Sequence, residues 1–200
     1  QLSSNGSGAL TWVGGIFYYR DPVPTEQFDK LPFGTIHIRD TITTESVAAY
    51  LQGSYKITPA TTLTLGARYT WDTHDFTGGA AFVPAPIPAG SQSFGSNSPS
   101  WRVTLSHQLT DDAMIFASYN RGVKSGGFNP VAVPALNPGI PISFDDETLD
   151  AYEVGTKLTL WDHRARLNIS GFEYKYSNIQ VAGFNVGPPF LYNAAGAEIH

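Results

Sequence analysis

The connections between the extended runs of this chain alternate strictly in length, a very short one following each long one. Thr58–Ala60, Thr110–Asp112 and Trp161–His163 are the short ones, and between them lie Asp21–Ile42, Phe76–Ser100, Ser125–Glu147 and Ser177–Phe190. The latter are far longer than an ordinary hairpin loop of about two to five residues. An up-and-down transmembrane β-barrel has this asymmetry, with turns on one side of the bilayer and loops on the other.

The runs themselves have period two. In Thr62–Asp72 the odd positions are Leu63, Leu65, Ala67, Tyr69 and Trp71, and the even ones are Thr62, Thr64, Gly66, Arg68, Thr70 and Asp72. That is a strand with one apolar and one polar face. Trp101, Val103, Leu105 and Leu109 alternate with Arg102, Thr104, Ser106, Gln108 and Thr110, and Tyr152, Val154, Leu158 and Leu160 with Glu153, Lys157 and Thr159. In Ala165–Tyr176 the apolar phase passes from Leu167 and Ile169 to Phe172, Tyr174 and Tyr176, which predicts a bulge or phase change near Gly171. Strands are expected near 10–20, 43–57, 61–75, 100–110, 113–124, 148–160, 164–176 and 190–200, an all-β antiparallel meander of about eight strands.

Charge placement identifies the solvent of the apolar face. Lys56, Arg68, Arg102, Glu153, Lys157 and Arg166 all fall on the polar face, and essentially no charge is expected on the other. Aromatics gather toward strand ends, with Tyr18, Tyr19, Tyr69, Trp71, Trp101, Tyr174 and Tyr176 near the long connections and Trp12, Tyr55 and Trp161 near the short ones. Such girdles mark headgroup levels. Charged residues are only 14% of the 200, too few for a surface wetted all round. No run reaches the ~18 continuous apolar residues of a membrane helix, so a spanning structure must be built of strands. Periodicity alone also describes a soluble β-sandwich whose apolar face packs on a second sheet, such as a carbohydrate-binding module, and a passive porin or autotransporter barrel shares the loop pattern.

Several classes are excluded. There is no cysteine, and the net charge of −5 argues against nucleic acid. The five histidines show no metal-ligand spacing, and no nucleophile elbow or phosphate loop exists, so neither catalysis, a cofactor nor a metal site is expected. Asp72, His74 and Asp75, and the run Asp145-Asp146-Glu147, read as solvated loop charge.

Phe116–Asn129, ending Lys124-Ser125-Gly126-Gly127-Phe128-Asn129, and Glu147–Lys157, containing Leu149-Asp150-Ala151-Tyr152-Glu153-Val154-Gly155-Thr156-Lys157, resemble the barrel of a TonB-dependent outer-membrane receptor of the siderophore type. Leu63–Thr70, Leu167–Val181 and Asn193–Ile199 are similar to further strands of that family in the same order. Val123 stands where an aromatic is usual and Asp146 where a proline often is. The resemblance implies an internal fragment of a bacterial outer-membrane barrel of about 22 strands, with the plug domain and remaining strands outside it. It also implies uptake of a scarce nutrient, most often a ferric siderophore, driven through TonB, and contact with outer-membrane lipid and lipopolysaccharide. On this resemblance Lys124, Ser125, Gly126, Gly127, Phe128 and Asn129 are candidate ligand contacts in an extracellular loop, the Gly-Gly pair otherwise serving only the strand-to-loop turn. Arg68, Arg102 and Lys157 are expected to face the lumen and attract an anionic chelate or pair with plug carboxylates, and Glu153 to pair with basic plug residues.

Overall fold

The computed structural model describes residues 1–6, 8–32, 34–82, 87–129, 139–185 and 189–200. One nine-stranded antiparallel sheet runs through the chain: β1 (Leu2–Ser3), β2 (Leu10–Leu31), β3 (Gly34–Lys56), β4 (Thr61–Phe82), β5 (Ile87–Thr110), β6 (Ala113–Lys124), β9 (Glu147–Leu160), β10 (Ala165–Ser177) and β13 (Gly196–Ile199). Strands follow one another in sequence order, interrupted only by two small hairpins of separate pairing, β7 (Gly127–Phe128) with β8 (Ser143–Phe144) and β11 (Gln180–Gly183) with β12 (Phe190–Asn193). The short connections lie at one end and the long ones at the other, as the loop lengths require. Trp161, Asp162 and His163 make the last short connection with φ of 52°, 53° and 67°, closed by a hydrogen bond from the Arg164 amide to the Leu160 carbonyl at 3.1 Å.

Register fixes the faces, because directly paired residues project to the same side. Leu51, Ala67, Trp101, Arg121, Asp150 and Lys175 form one row, and Gln52, Gly66, Arg102, Asn120, Ala151 and Tyr174 form a row on the opposite face. The phase expected for β3 to β5 and for β9 holds throughout. From the turn end, each of these strands carries a stretch of some ten residues with exposed Leu, Ile, Val and aromatic side chains on the apolar face, Leu65, Val103, Leu105, Val154 and Ile169 among them. That is the length needed to cross a bilayer's apolar core at a strand's usual tilt.

Four expectations are corrected. The connections Asp21–Ile42 and Phe76–Ser100 are mostly strand: β2 pairs β3 without a break from Leu10↔Tyr55 to Leu31↔Gly34, and β4 pairs β5 as far as Ala80↔Ile87. Pro22 and Pro24 lie inside β2, two residues apart, so both can turn the position of their missing donor to the side away from β3 while the β2–β3 ladder runs on through them. No phase change occurs at Gly171, since β10 pairs β9 in unbroken register from Ala165 to Ser177. Phe172, Tyr174 and Tyr176 therefore share the polar face, and Glu173 and Lys175 the other. The sequence inverts there because the surroundings of both faces change beyond the apolar stretch, while the strand itself does not. The apolar face is accordingly not free of charge at its loop end. Finally, the expected strand 190–200 is two strands, and only Gly196–Ile199 joins the main sheet.

The buried apolar residues lie toward the loop end: Ile36, Ile38, Ala48, Phe76, Ala80, Phe128 and Phe190. Ile36 and Ile38 share a face with Ala80 and Phe76 by register, and β7 packs on that face through Phe128 against Phe76. The turn-end half of the sheet buries almost nothing on either side.

Candidate functional site

The polar face gathers the four wall residues singled out in the sequence. Arg68 and Arg102 border a hollow of about 510 Å³ with Tyr50, Gln52 and Asn120, over a floor that includes Gly66, Ser100 and Gly122. Small residues on adjacent strands make the depression, and the two arginines stand at its sides. An adjoining hollow of about 430 Å³ brings Arg102 together with Glu153 and Lys157. Arg68 donates from Nε to the Thr70 hydroxyl at 3.0 Å and lies 5.2 Å over the Phe17 ring. The Nε of Arg102 donates to Asn120 Oδ1 at 2.9 Å, and the Lys157 ammonium sits 5.6 Å from the Phe116 ring centre.

None of these contacts neutralises charge. Among the described residues no carboxylate lies in ion-pair contact with Lys56, Arg68, Arg102, Lys157 or Arg166. On the opposite face four cations are paired, Arg20 with Glu45 at 3.8 Å, Arg39 with Glu26 at 2.8 Å, Arg121 with Asp150 at 3.5 Å, and Lys175 with Glu173 at 3.0 Å, while Lys30 near the outer end of β2 is in no ion pair among the described residues. A row of uncompensated cations over a concave floor attracts anionic groups and gives them hydrogen-bond donors in place of water.

At the loop end the Lys124–Asn129 segment is taken up by internal contacts. Lys124 closes β6 and keeps an exposed side chain. Ser125 shares a hydrogen bond with His74 Nε2 at 3.0 Å, and the other ring nitrogen of that buried histidine meets the Thr44 hydroxyl at 3.1 Å. The Gly126 amide donates to Asp146 Oδ1 at 2.7 Å, and a Cβ on Gly126 would collide with the Phe144 carbonyl, so only glycine fits. Gly127 and Phe128 form β7, and the Phe128 ring packs 5.6 Å from Phe76 and 6.5 Å from Phe94. Asn129 is 1% exposed; its amide group donates to the carbonyls of Pro141 at 3.0 Å and Leu191 at 2.8 Å, and its Oδ1 accepts from the Leu191 amide at 2.7 Å.

Of the acidic run, Asp145 is exposed, as solvated loop charge would be, whereas Asp146 and Glu147 are held by the loop. Asp146 accepts from the Ser96 and Ser98 hydroxyls as well as from Gly126, and Glu147 Oε2 accepts from the Gln180 amide at 2.7 Å. Carboxylates in the polar, hydrogen-bonded base of a loop stand in for a strand partner. Among the described residues there is no group of three or more side chains that would hold a metal ion. Sequence reasoning passed over His74, Gln180 and Asn193 as organising residues. The last two lie inside the motif blocks, yet their partners are up to 56 residues away in the chain and leave no local signal.

The family model for the TonB dependent receptor-like β-barrel matches residues 1–200, the whole chain. The chain belongs to the TonB-dependent receptor family. Solved structures of the family share its fold. The ferric yersiniabactin uptake receptor FyuA from Yersinia pestis superposes over 98% of the chain and 29% of FyuA, with a TM-score of 0.81 at 18% identity. The closed form of the ferric-catecholate import receptor Fiu from E. coli K12 covers 92% of the chain and 30% of its own length, with a TM-score of 0.67 at 15% identity. The siderophore receptor PiuA from Acinetobacter baumannii covers 95% and 36%, with a TM-score of 0.59 at 14% identity. Comparison with curated protein sequences found no match. The chain thus spans about 29% to 36% of the length of these receptors and supplies one arc of a TonB-dependent receptor barrel. Family and structural relatives are transport receptors, not enzymes.

Proposed function

We propose that this arc is part of the wall of a bacterial outer-membrane receptor that takes up a ferric siderophore, with energy delivered through TonB. Its polar face lines the lumen, where a plug domain from elsewhere in the whole protein sits, and its apolar face meets outer-membrane lipid and lipopolysaccharide. The long connections face the cell exterior. The observation that carries this reading is the set of uncompensated cations, Arg68, Arg102 and Lys157, on the face that a closed barrel turns inward, while Arg20, Arg39, Arg121 and Lys175 on the outward face are paired. Plug carboxylates and an anionic ferric chelate both complement such a wall. Family membership over the whole chain, and the likeness to a ferric yersiniabactin uptake receptor, a ferric-catecholate import receptor and a siderophore receptor, support the substrate class. Neither a passive barrel nor a soluble sandwich is favoured by a chain-long match to this family.

The candidate contacts Lys124–Asn129 divide in this scheme. Lys124 is free to meet a ligand at the mouth, whereas Ser125, Gly126, Phe128 and Asn129 shape the loop from within. The test is growth of a deletion strain on single ferric siderophores, complemented by the full-length receptor or by its Arg68→Glu/Arg102→Glu form. The expected result is growth on at least one chelate, abolished without TonB and impaired by the double substitution at unchanged receptor abundance. Growth independent of TonB on every chelate would overturn the assignment.

A further inference from the structure

The family-defining blocks of this sequence, far apart in the chain, meet at one place. We infer that Asn129, Gln180 and Asn193 form a latch that joins the β7–β8 hairpin at the base of one long connection to the β11–β12 hairpin at the base of the next, so that the two act as one body at the mouth of the barrel.

Three ties make the latch. Asn129 holds Leu191 through both its amide and its carbonyl, at 2.8 and 2.7 Å. Asn193 accepts from the Asp145 amide at 2.7 Å and returns a bond to the Asp145 carbonyl at 2.9 Å. Gln180 donates its side-chain amide to the carbonyls of Ser125 at 3.0 Å and Asp145 at 3.1 Å, while its backbone amide reaches Glu147 at 2.7 Å. Each asparagine satisfies a donor and an acceptor of the other connection, as a neighbouring strand would do.

Both hairpins are the outer tips of main-sheet ladders. The β7–β8 ladder is two residue pairs beyond the Lys124↔Glu147 end of β6–β9, and the β11–β12 ladder is four pairs continuing β10–β13 through the bonds from the Asn178 amide to the Ala195 carbonyl and from the Ala194 amide to the Ile179 carbonyl. Side by side, each tip gains from the other hydrogen bonds that its own short ladder lacks, and the first is further anchored on the main sheet through Phe128 against Phe76 and Asp146 against Ser96. The second hairpin has its Phe190 buried, at 8% exposure, on the far side of the same assembly. Elements that share their stabilising contacts open cooperatively. Any widening of the mouth on this side therefore displaces both hairpins or neither. The latch does not depend on what the receptor carries, and its failure would leave the proposed function untouched.

Hydrogen exchange of the full-length receptor in lipid nanodiscs tests this. In Asn129→Ala, the amides of Val181 to Gly183 in the partner hairpin, which make no contact with Asn129, are expected to exchange about tenfold faster or more, the scale of losing buried hydrogen bonds. In Gln180→Ala the amides of Gly127 to Asn129 are expected to do the same, with β4 unchanged in both variants. Acceleration confined to the substituted residue's own hairpin would overturn the latch. Should Asn129→Ala not assemble, Gln180→Ala and Asn193→Ala give the same reading from the half-exposed side of the assembly.

Discussion

The two ends of this sheet solve opposite problems. At the turn end the strands leave leucines and valines exposed on one face, and on the other Lys56, Arg68, Arg102, Lys157 and Arg166 stand without carboxylate partners among the described residues. At the loop end the same strands bury Ile36, Ile38 and Phe76, and almost every buried polar group has a partner: His74 between Thr44 and Ser125, Asp146 under three donors, Asn129 under three bonds. A structure that carries its own core needs only water around it. One that exposes both faces takes its stability from surroundings, here hydrocarbon outside and a filled lumen inside. The boundary between the regimes is visible on the apolar face, where Tyr119 and Tyr152 of one row give way to Arg121 and Asp150 of the next row of that face.

The sharpest way to break this contrast is to remove loop-end core. Phe76→Ala should cost about 3–5 kcal/mol of local stability, the usual cost of emptying a buried phenylalanine site. Protease nicking of the loops in the assembled receptor reads it, and unchanged resistance would mean that the loop-end core is not self-supporting. On the wall, Leu65→Arg places a cation against lipid and should cost about 2–4 kcal/mol, while Thr64→Arg, one residue away, should cost far less. Urea titration of folding into bilayers distinguishes the two, and equal effects would contradict the assigned faces.

A third expectation concerns pH. Burial holds the Asp40 carboxyl above the ordinary carboxylate value, with the Thr25 hydroxyl opposing the shift. The folded chain thus binds this proton more tightly than the unfolded chain. Stability falls as pH rises from the unfolded to the folded value, and the penalty is full at neutral pH and absent below the unfolded value. Asp40→Asn should stabilise the loop end at pH 7 and bring no gain in acid, as hydrogen exchange across pH would show; a gain that persists in acid would deny the burial cost. Smallest of all is the outer ion pair. A double-mutant cycle on Arg121 and Asp150 should give a coupling of about 0.2–1 kcal/mol, because such half-exposed pairs are screened.

Much of the wall was legible because one face repeats every second residue and the turns are only a few residues long. The Leu63–Trp71 strand could be placed, faced and bounded at its turn end from composition alone. Two things hid the loop end. Pro22, Pro24 and the glycine-rich run before Ser100 look like breakers in any local window, yet long antiparallel pairing with the next or preceding strand carries β2 and β5 through them. Phe172, Tyr174 and Tyr176 look like a phase change because apolar content was taken as a fixed marker of one face, whereas past the apolar stretch it marks neither. The candidate site divides the same way. Arg68, Arg102, Glu153 and Lys157 were placed on one face by counting residues. The roles of Ser125, Gly126 and Asn129 depend on His74, Asp146 and Leu191, which lie 20 to 62 residues away and only a fold can bring near.

The central claim is that one sheet turns alternate residues to lipid and to a polar lumen. The chain has no cysteine, so nitroxides can be attached one at a time to cysteines placed at residues 62–72 of the full-length receptor in a bilayer. Collisions with oxygen, which concentrates in hydrocarbon, should peak at Leu63, Leu65, Ala67, Tyr69 and Trp71, and collisions with a water-soluble nickel chelate should not. The absence of a two-residue period, or oxygen maxima at Thr64, Gly66 and Arg68, would contradict it.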